Sequence, residues 1–513
     1  MKCRIYIAAM AIISLASCSK TLEDRSQAFP VLNPTKTDAN AGNWRPILLS
    51  TANEFPLAAP SILAGTPNYI LELNEIKSYQ ANLSQQQRQQ INFWGAGAVL
   101  RWNEIMRTLV AQRNLPPYQN ADGTYPFPNA NNPLAYPIFP FANPPYAARA
   151  YAYLAAAQYD ALVAAHFYKA QYLRQAPYKV DATIQPLLPT SDLPVYPSED
   201  AVVMGASVEI LKLLFPADIA YIQAKAAEHK VVRIMAGMNT RSDVDAGEAL
   251  GKAVANKFIA RARNDRAGAA AANPAVWAQF ETDAVTRGET PWKSLELPAR
   301  PPMLPLFGKV RAWLIDSAAM VSIRPAAPPS TQSQKFKDEL NEVLNFSQNL
   351  TREQLRIAHF WADGIGTYTP PGHWNAVACE DFINLGFSEV RWARNLALLN
   401  MSLMDAAIQC WDTKYTYFNP RPSQMNPAIK SVTGVPNFPA YTSGHSTFSG
   451  AAATVLSYIN PSKAAEYDAM AKEASLSRLY GAIHYRSDCE VGLQCGIRVG
   501  AFAVTRGRAD GAD

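Results

Sequence analysis

Three short segments near the C-terminus of this 513-residue chain gather side chains that together could hold and activate an anion. The first is Trp411-Asp412-Thr413-Lys414, followed after six residues by Arg421-Pro422. The second is Pro439-Ala440-Tyr441-Thr442-Ser443-Gly444-His445; the third runs from Ser477-Arg478 through His484 to Asp488. Lys414, Arg421 and Arg478 are three cations, two of them planar donor forks suited to a tetrahedral oxyanion. Ser443-Gly444-His445 precedes an apolar helical run, which puts it at a helix N-terminus, where unpaired N–H groups and the helix dipole favour negative charge. Gly444 lets an anion approach the backbone, and Ser443 adds a hydroxyl. His484 and Asp488 stand at i and i+4, so they are expected to share a helix face. The carboxylate would then hold one ring nitrogen as N–H and leave the other free as nucleophile or ligand.

Each residue alone has an ordinary explanation. A single Lys or Arg is a solvated charge, Ser443 an N-cap, and Asp488 a partner for Arg486. His166 and His229 are read as satisfied structural histidines. The joint pattern of Lys, Arg, Ser, Gly, His and Asp at fixed spacing outweighs those separate readings. A divalent metal held by His445, His484 and Asp488 is disfavoured, because the three nearby cations would repel it. A Ser443 nucleophile lacks the G-x-S-x-G elbow. Trp411 and Phe438 are candidate apolar walls beside the site, and equally ordinary core aromatics. The net charge of +5 comes without any cluster of Lys and Arg, which argues against nucleic acid as a partner.

The elements that must carry these residues read as helices throughout. Ala147–Ala170, Ala201–Leu214, Ala246–Ala262, Arg391–Trp411, Ser446–Tyr458 and Lys463–Ile483 are Ala/Leu-rich, with apolar residues at three- and four-residue spacing. No alternating strand pattern competes, and the expected class is all-α. Shifting the chain by 245 residues lays Asp160-Ala161 on Asp405-Ala406, Lys169 on Lys414, Ser198 on Ser443, Arg233 on Arg478 and Arg241-Ser242-Asp243 on Arg486-Ser487-Asp488. A constant offset over that span points to an internal duplication and two homologous helical bundles. The expected organisation is a first bundle at 46–268, a connecting region at 269–345 and a second bundle at 346–513. In the first copy Ala176 replaces Arg421, Glu199 replaces Gly444, Asp200 replaces His445 and Asn239 replaces His484, so the chemistry belongs to the second copy.

The N-terminus reads as an export signal. Met1-Lys2-Cys3-Arg4 is basic, Ile5 to Leu15 is apolar but too short to span a bilayer, and Leu15-Ala16-Ser17-Cys18 resembles a bacterial lipobox with Cys18 as the lipidated residue. Residues 1–18 would be the leader and 19–45 a polar tether. The expected location is the cell envelope, at the outer membrane, held through the lipid anchor only. Cys379, Cys410, Cys489 and Cys495 remain, with three possible pairings and no zinc-like spacing.

The three segments resemble the motif of the type 2 phosphatidic acid phosphatase (PAP2) and vanadium haloperoxidase superfamily: Lys, six residues, Arg-Pro; Pro-Ser-Gly-His; Ser-Arg, five residues, His. One position departs, with Thr442 where the motif has proline. A looser similarity to the haloperoxidase branch takes in Phe360-Trp361 and Pro371-Gly372-His373-Trp374-Asn375, and paired helical units without membrane spans also look like that branch. The resemblance implies vanadate as cofactor, with His484 as axial ligand oriented by Asp488. Lys414, Arg421, Arg478, Ser443 and the Gly444 N–H would neutralise the equatorial oxygens, and His445 would be the acid/base. Hydrogen peroxide and halide would be the reactants, and Phe438 stands where bromide-type members often carry another histidine. The alternative is a phosphomonoesterase using the same cage without vanadate, with His484 as nucleophile and His445 protonating the leaving alcohol. A non-catalytic ligand-binding lipoprotein is the third reading, and it would have no need of the histidine–arginine set.

Overall fold

Ala-rich segments with helical periodicity bury their faces by packing helix on helix. A computed structural model describes residues 29–115, 143–297 and 299–512, and every regular element among them is helical. The leader, Cys18 and residues 19–28 lie outside the described residues. The first half contains α1 (Pro67–Ala81), α2 (Gln85–Gly95), α3 (Ala98–Arg113), α4 (Pro144–Tyr172), α5 (Pro177–Val180), α6 (Glu199–Leu214), α7 (Ile219–Met235) and α8 (Arg241–Arg263). Then come α9 (Pro274–Thr286), α10 (Ser317–Ile323), α11 (Gln334–Asn349), α12 (Arg352–Phe360) and α13 (Thr369–Phe382). The second half ends with α14 (Glu389–Tyr417), α15 (Pro422–Met425), α16 (Gly444–Ile459), α17 (Ala464–Tyr480) and α18 (Arg486–Arg508). None of the described helices is long and apolar enough to cross a membrane.

Each bound of α4 to α8 lies 245 residues before the matching bound of α14 to α18. The long helices α4 and α14, buried along most of their length, pack on each other at the centre. Helices α6 and α8 form one close pair and α16 and α18 another. Glycine permits both approaches: a Cβ on Gly251 would stand 2.1 Å from the Val202 carbonyl oxygen, and one on Gly496 would stand 2.1 Å from that of Thr447.

The correspondence also reaches into the region expected to be a connection. Asp160 accepts from the N–H groups of Ile47, Leu48 and Leu49, and Asp405 from those of Trp313, Leu314 and Ile315. Glu72 and Glu75 on α1 bind Ser242 and Arg241, as Glu339 and Glu342 on α11 bind Ser487 and Arg486. The offset is larger here because residues 114–143 separate α3 from α4, while only 383–388 separate α13 from α14. A search at a single offset stops at that difference. From Trp313 onward, 269–345 is part of the packed frame.

The expected tether is likewise corrected from residue 31 onward. Leu32 N–H donates to Gly95, Thr35 N–H to Gly386 and Arg45 N–H to Asp510, while Arg391 clamps Asp38. Polar composition misled because this segment is held by backbone hydrogen bonds and an ion pair, with Trp44 as its buried anchor. Residues 31–513 form one compact unit, so the two helical sets share a single body.

Candidate active site

Helix α14 delivers Lys414 in its last turn, fully buried. Its ammonium donates to the carbonyls of Pro439 (2.8 Å) and Ala440 (2.9 Å) and keeps a third N–H in hand. The helix stops at Phe418, which adopts a left-handed backbone (φ 53°), and the chain turns back to place Arg421 as N-cap of α15. The Arg421 guanidinium donates through Nε to the Phe438 carbonyl at 2.9 Å and through Nη1 to that of Ile483 at 2.8 Å. Its Nη2 is buried with no protein partner among the described residues. Arg478, near the end of α17, donates to Ser477 Oγ (2.8 Å) and the Ala358 carbonyl (3.2 Å). All three cations therefore rest on carbonyls and a hydroxyl, with no carboxylate of the described residues in direct contact.

Ser443 is the N-cap of α16, its Oγ accepting from Ser446 N–H at 3.3 Å, so the capping explanation holds. Its O–H remains able to donate. Gly444 opens the helix: a Cβ there would meet only Phe448 and Trp411, both at 3.9 Å, and the backbone stays accessible. His445 follows, its buried Nε2 without a hydrogen-bond partner and 3.7 Å from Asp363 Oδ2. Thr442, at the motif's proline position, is buried.

The expected helix through His484 ends early. Helix α17 stops at Tyr480, Gly481 caps it, and Ala482 takes a left-handed backbone (φ 55°). His484 therefore sits in the turn before α18, and does not share a helix face with Asp488. Asp488 occupies the third position of α18, where its Oδ2 accepts from Tyr485 N–H (3.1 Å) and meets His484 Nδ1 at 2.9 Å. The pairing is kept, by capping geometry in place of helical stacking. With Nδ1 carrying the proton toward Asp488, Nε2 keeps its lone pair, which faces Arg421 Nη1 at 3.0 Å. Arg486 is engaged by Glu342, which leaves Asp488 to the histidine.

Above the cage opens a cleft of about 350 Å³, lined by Gly444, His445, Arg478, His484, Trp411 and Phe438 among others. Trp411 and Phe438 contact each other at 5.0 Å, and the Lys414 ammonium lies 5.0 Å from the Phe438 ring. The two aromatics are thus both core residues and cleft wall. The four later cysteines are buried and unpaired. Among the described residues no group of three or more His, Cys, Asp or Glu is placed to hold a metal ion, so the His445/His484/Asp488 metal reading gains no support.

Burial without counter-anions sets the electrostatics. It pulls Arg421 and Arg478 each down to about 10, and draws Lys414 below the usual lysine range, with Arg421 adding repulsion. Burial holds His484 well below the ordinary imidazole value, reinforced by Arg421, Lys414 and Arg478. His445 is lowered by burial, then by Arg478 and His373. Asp488 is pushed up by burial, against the Tyr485 N–H. Two neutral imidazoles beside three strained cations make a cage short of negative charge, and a tetrahedral oxyanion fits that deficit.

Sequence reasoning missed Asp363 as a site residue. It lies after α12 with no periodic or motif context, and only the fold brings it against His445 and against His373 Nδ1, at 3.0 Å.

Residues 395–510 match the family model of the PAP2 superfamily. None of the curated proteins matches. Among solved structures, a bacterial vanadium-dependent iodoperoxidase is 23% identical, with 79% of this chain and 96% of that chain covered and a TM-score of 0.59. Apo and holo forms of a bacterial vanadium-dependent chloroperoxidase are 13% and 12% identical. They cover 70% and 77% of this chain and 94% and 98% of theirs, with TM-scores of 0.48 and 0.49. Residues 395–510 are thus similar to the PAP2 superfamily, and the all-helical fold is one the chain shares with the iodoperoxidase.

Proposed function

We propose that this enzyme is a vanadate-dependent haloperoxidase of the bacterial cell envelope, exported by its N-terminal leader and lipid-anchored at Cys18. The observation that carries the reading is the cage itself: three buried cations held on carbonyls, beside a His484 whose Nδ1 lies 2.9 Å from Asp488, a pairing that favours a proton-free Nε2.

Vanadate fits the donor set: His484 Nε2 would hold it, together with Lys414, Arg421, Arg478, Ser443 and the Gly444 N–H. Bound there, it supplies Lewis-acid activation of hydrogen peroxide for two-electron oxidation of a halide. The chain's own groups do the rest. Asp488 fixes the His484 tautomer and ring plane. Arg421 has Nη2 to spare for an oxyanion, since Nε and Nη1 are already anchored. Neutral His445 accepts a proton from incoming peroxide and returns it to the departing oxygen. The remaining Lys414 N–H adds positive charge where negative charge develops. Trp411 and Phe438 keep bulk water from one side of the cleft.

The second reading is a PAP2-type phosphomonoesterase, favoured by the same Nε2 lone pair. His484 would attack phosphorus while His445 protonates the leaving alcohol, and the three cations would stabilise the same trigonal-bipyramidal array.

Purified protein should be assayed with and without orthovanadate in phosphate-free buffer. Peroxide-dependent halogenation of a diketone dye with iodide or bromide is measured in parallel with aryl phosphate hydrolysis. Halogenation that requires vanadate and is suppressed by phosphate is the expected result. Phosphate release that vanadate inhibits, without halogenation, would move the enzyme to the second reading.

A further inference from the structure

An anion cage needs no apolar approach, yet the cleft that leads to this one is walled largely by carbon. Met303, Val435, Phe448 and Trp411 line it. Leu115 and Ile365 line it too and are exposed, which places them at its mouth. Ile365 sits between Gly364 and Gly366 in a loop that Asn114 clamps. The Asn114 amide donates to the carbonyls of Gly364 (2.8 Å) and Thr367 (3.0 Å), and its backbone carbonyl accepts from Gly366 N–H (2.7 Å). Apolar side chains held out at a cleft mouth are unfavourable in water and favourable under an apolar ligand. The charged groups that line the cleft beyond the cage are already paired. Arg300 holds Glu296 through two parallel bonds of 2.8 and 2.9 Å, and Asp363 pairs with His373. A molecule seated against these walls therefore needs no charge of its own.

One polar atom is left over. Thr369, the first residue of α13, is buried in the cleft lining, and its Oγ1 has no hydrogen-bond partner among the described residues. Its backbone is left-handed, with φ 67°, which a β-branched residue adopts rarely and only where its surroundings hold it. Here they do: its N–H donates to Thr367 Oγ1 at 3.2 Å, and the two prolines that follow, Pro370 and Pro371, are buried. A strained residue with an orphaned hydroxyl in the wall of a cleft points to contact with a ligand.

We propose that the cleft seats the organic substrate, a neutral phenol whose hydroxyl shares a hydrogen bond with Thr369 while its ring packs between Phe448, Trp411 and Ile365. The volume of about 350 Å³ suits a ring-sized molecule. The proposal rests on the haloperoxidase reading and names its substrate class. Hypohalous acid is an electrophile, and a phenol ring is rich in electrons. A carbon–halogen bond forms as the oxygen–halogen and ring carbon–hydrogen bonds break. The ring proton leaves with the hydroxide as water, the ring carbon is oxidised and the halogen is reduced. Holding the ring beside the cage sets which molecule the oxidant meets first.

The test titrates the full chain, without vanadate or peroxide, with thymol and with p-cymene, which differs only in lacking the hydroxyl. Calorimetry should show saturable binding of both. Thr369→Val keeps the branched shape and removes the hydroxyl; it should weaken thymol about 3- to 10-fold and leave p-cymene within about twofold, which also shows that the cleft is intact. Thr369→Ser, which restores a hydroxyl, should recover thymol binding. Ile365→Asp should weaken both ligands about fivefold. No saturable thymol binding, or a Thr369→Val effect equal on the two ligands, would overturn the proposal. In turnover, thymol competes for iodination with phenol red, which is too large and too charged for the cleft. The enzyme should favour thymol by at least about fivefold more than reagent hypoiodous acid does. Equal ratios would mean a freely diffusing oxidant and would overturn the substrate role. The titrations need no vanadate, so thymol bound through Thr369 without any halogenation would sink the haloperoxidase reading and leave the phenol site standing.

Discussion

The two halves of the molecule hold equivalent cations and neutralise them in opposite ways. In the first half Lys169 faces Glu199 Oε2 at 3.5 Å, His166 meets Oε1 at 2.8 Å, and Arg233 Nε lies 3.3 Å from Asp200. Burial pushes the Glu199 carboxyl up, but Lys169 and His166 outweigh it and hold the group well below the usual carboxylate range. Asn239, at the place of His484, has both ends of its amide engaged: Nδ2 donates to the Val195 carbonyl, and Oδ1 accepts from Ser198 and Arg233. In the second half the matching cations rest on carbonyls, and glycine stands where Glu199 would be. The first half thus carries its anion covalently, and the second leaves room for one from solution. A frame can keep its cations buried either way; only the second way makes a site.

That contrast is broken most severely at His484. His484→Ala should lower either activity by at least about 10³-fold, because both proposed reactions need the same Nε2. Steady-state halogenation and aryl phosphate hydrolysis check this, and an active variant would sink both readings. The next effect lies in the other half. Glu199→Gln leaves Lys169 and His166 without their anion and should cost about 2 kcal/mol, below the value for a fully buried pair because Glu199 is partly solvated. Urea unfolding measures it. Added phosphate should restore part of the loss by binding the freed cations, and equal response of variant and native protein would contradict the covalent-anion account.

Proton linkage sharpens the comparison in the second half. Burial first, then Arg421, lowers the Lys414 pKa in the free enzyme, whereas a bound oxyanion favours the charged ammonium. Binding therefore takes up a proton, and affinity should fall as pH rises through the lowered free-enzyme value, by up to about tenfold per unit. Calorimetry of orthovanadate across neutral to alkaline pH checks this, with Lys414→Arg as the baseline from which the lysine titration is removed. A native profile parallel to that baseline would mean Lys414 stays charged throughout.

Most of this contrast is legible in the sequence alone. Helical periodicity located the long elements, and the substitutions at Glu199, Asp200 and Asn239 marked the first copy as closed, because residue type at a matched position needs no distance. What stayed hidden depended on chain direction between elements. The turn at Gly481–Ala482 has no periodic trace, so His484 was expected on a helix. The packed strap at residues 31–45 is too polar to be read as core. Asp363 and His373 are brought to His445 by the docking of α12 and α13, which local pattern does not encode. The matching contacts that begin at Trp313 were masked by the unequal stretches before α4 and α14.

The smallest expected effect is also the most discriminating between the halves. Asn239→Ala removes the amide that stands at the place of His484 and frees Ser198 and Arg233 from it. If the first half is structural only, kcat and KM should stay within about twofold, while stability falls by about 1–2 kcal/mol for the unsatisfied buried partners. Urea unfolding and steady-state kinetics on the same preparation separate the two. A loss of activity larger than the loss of folded protein would mean that the first half communicates with the cage through the α4–α14 contact.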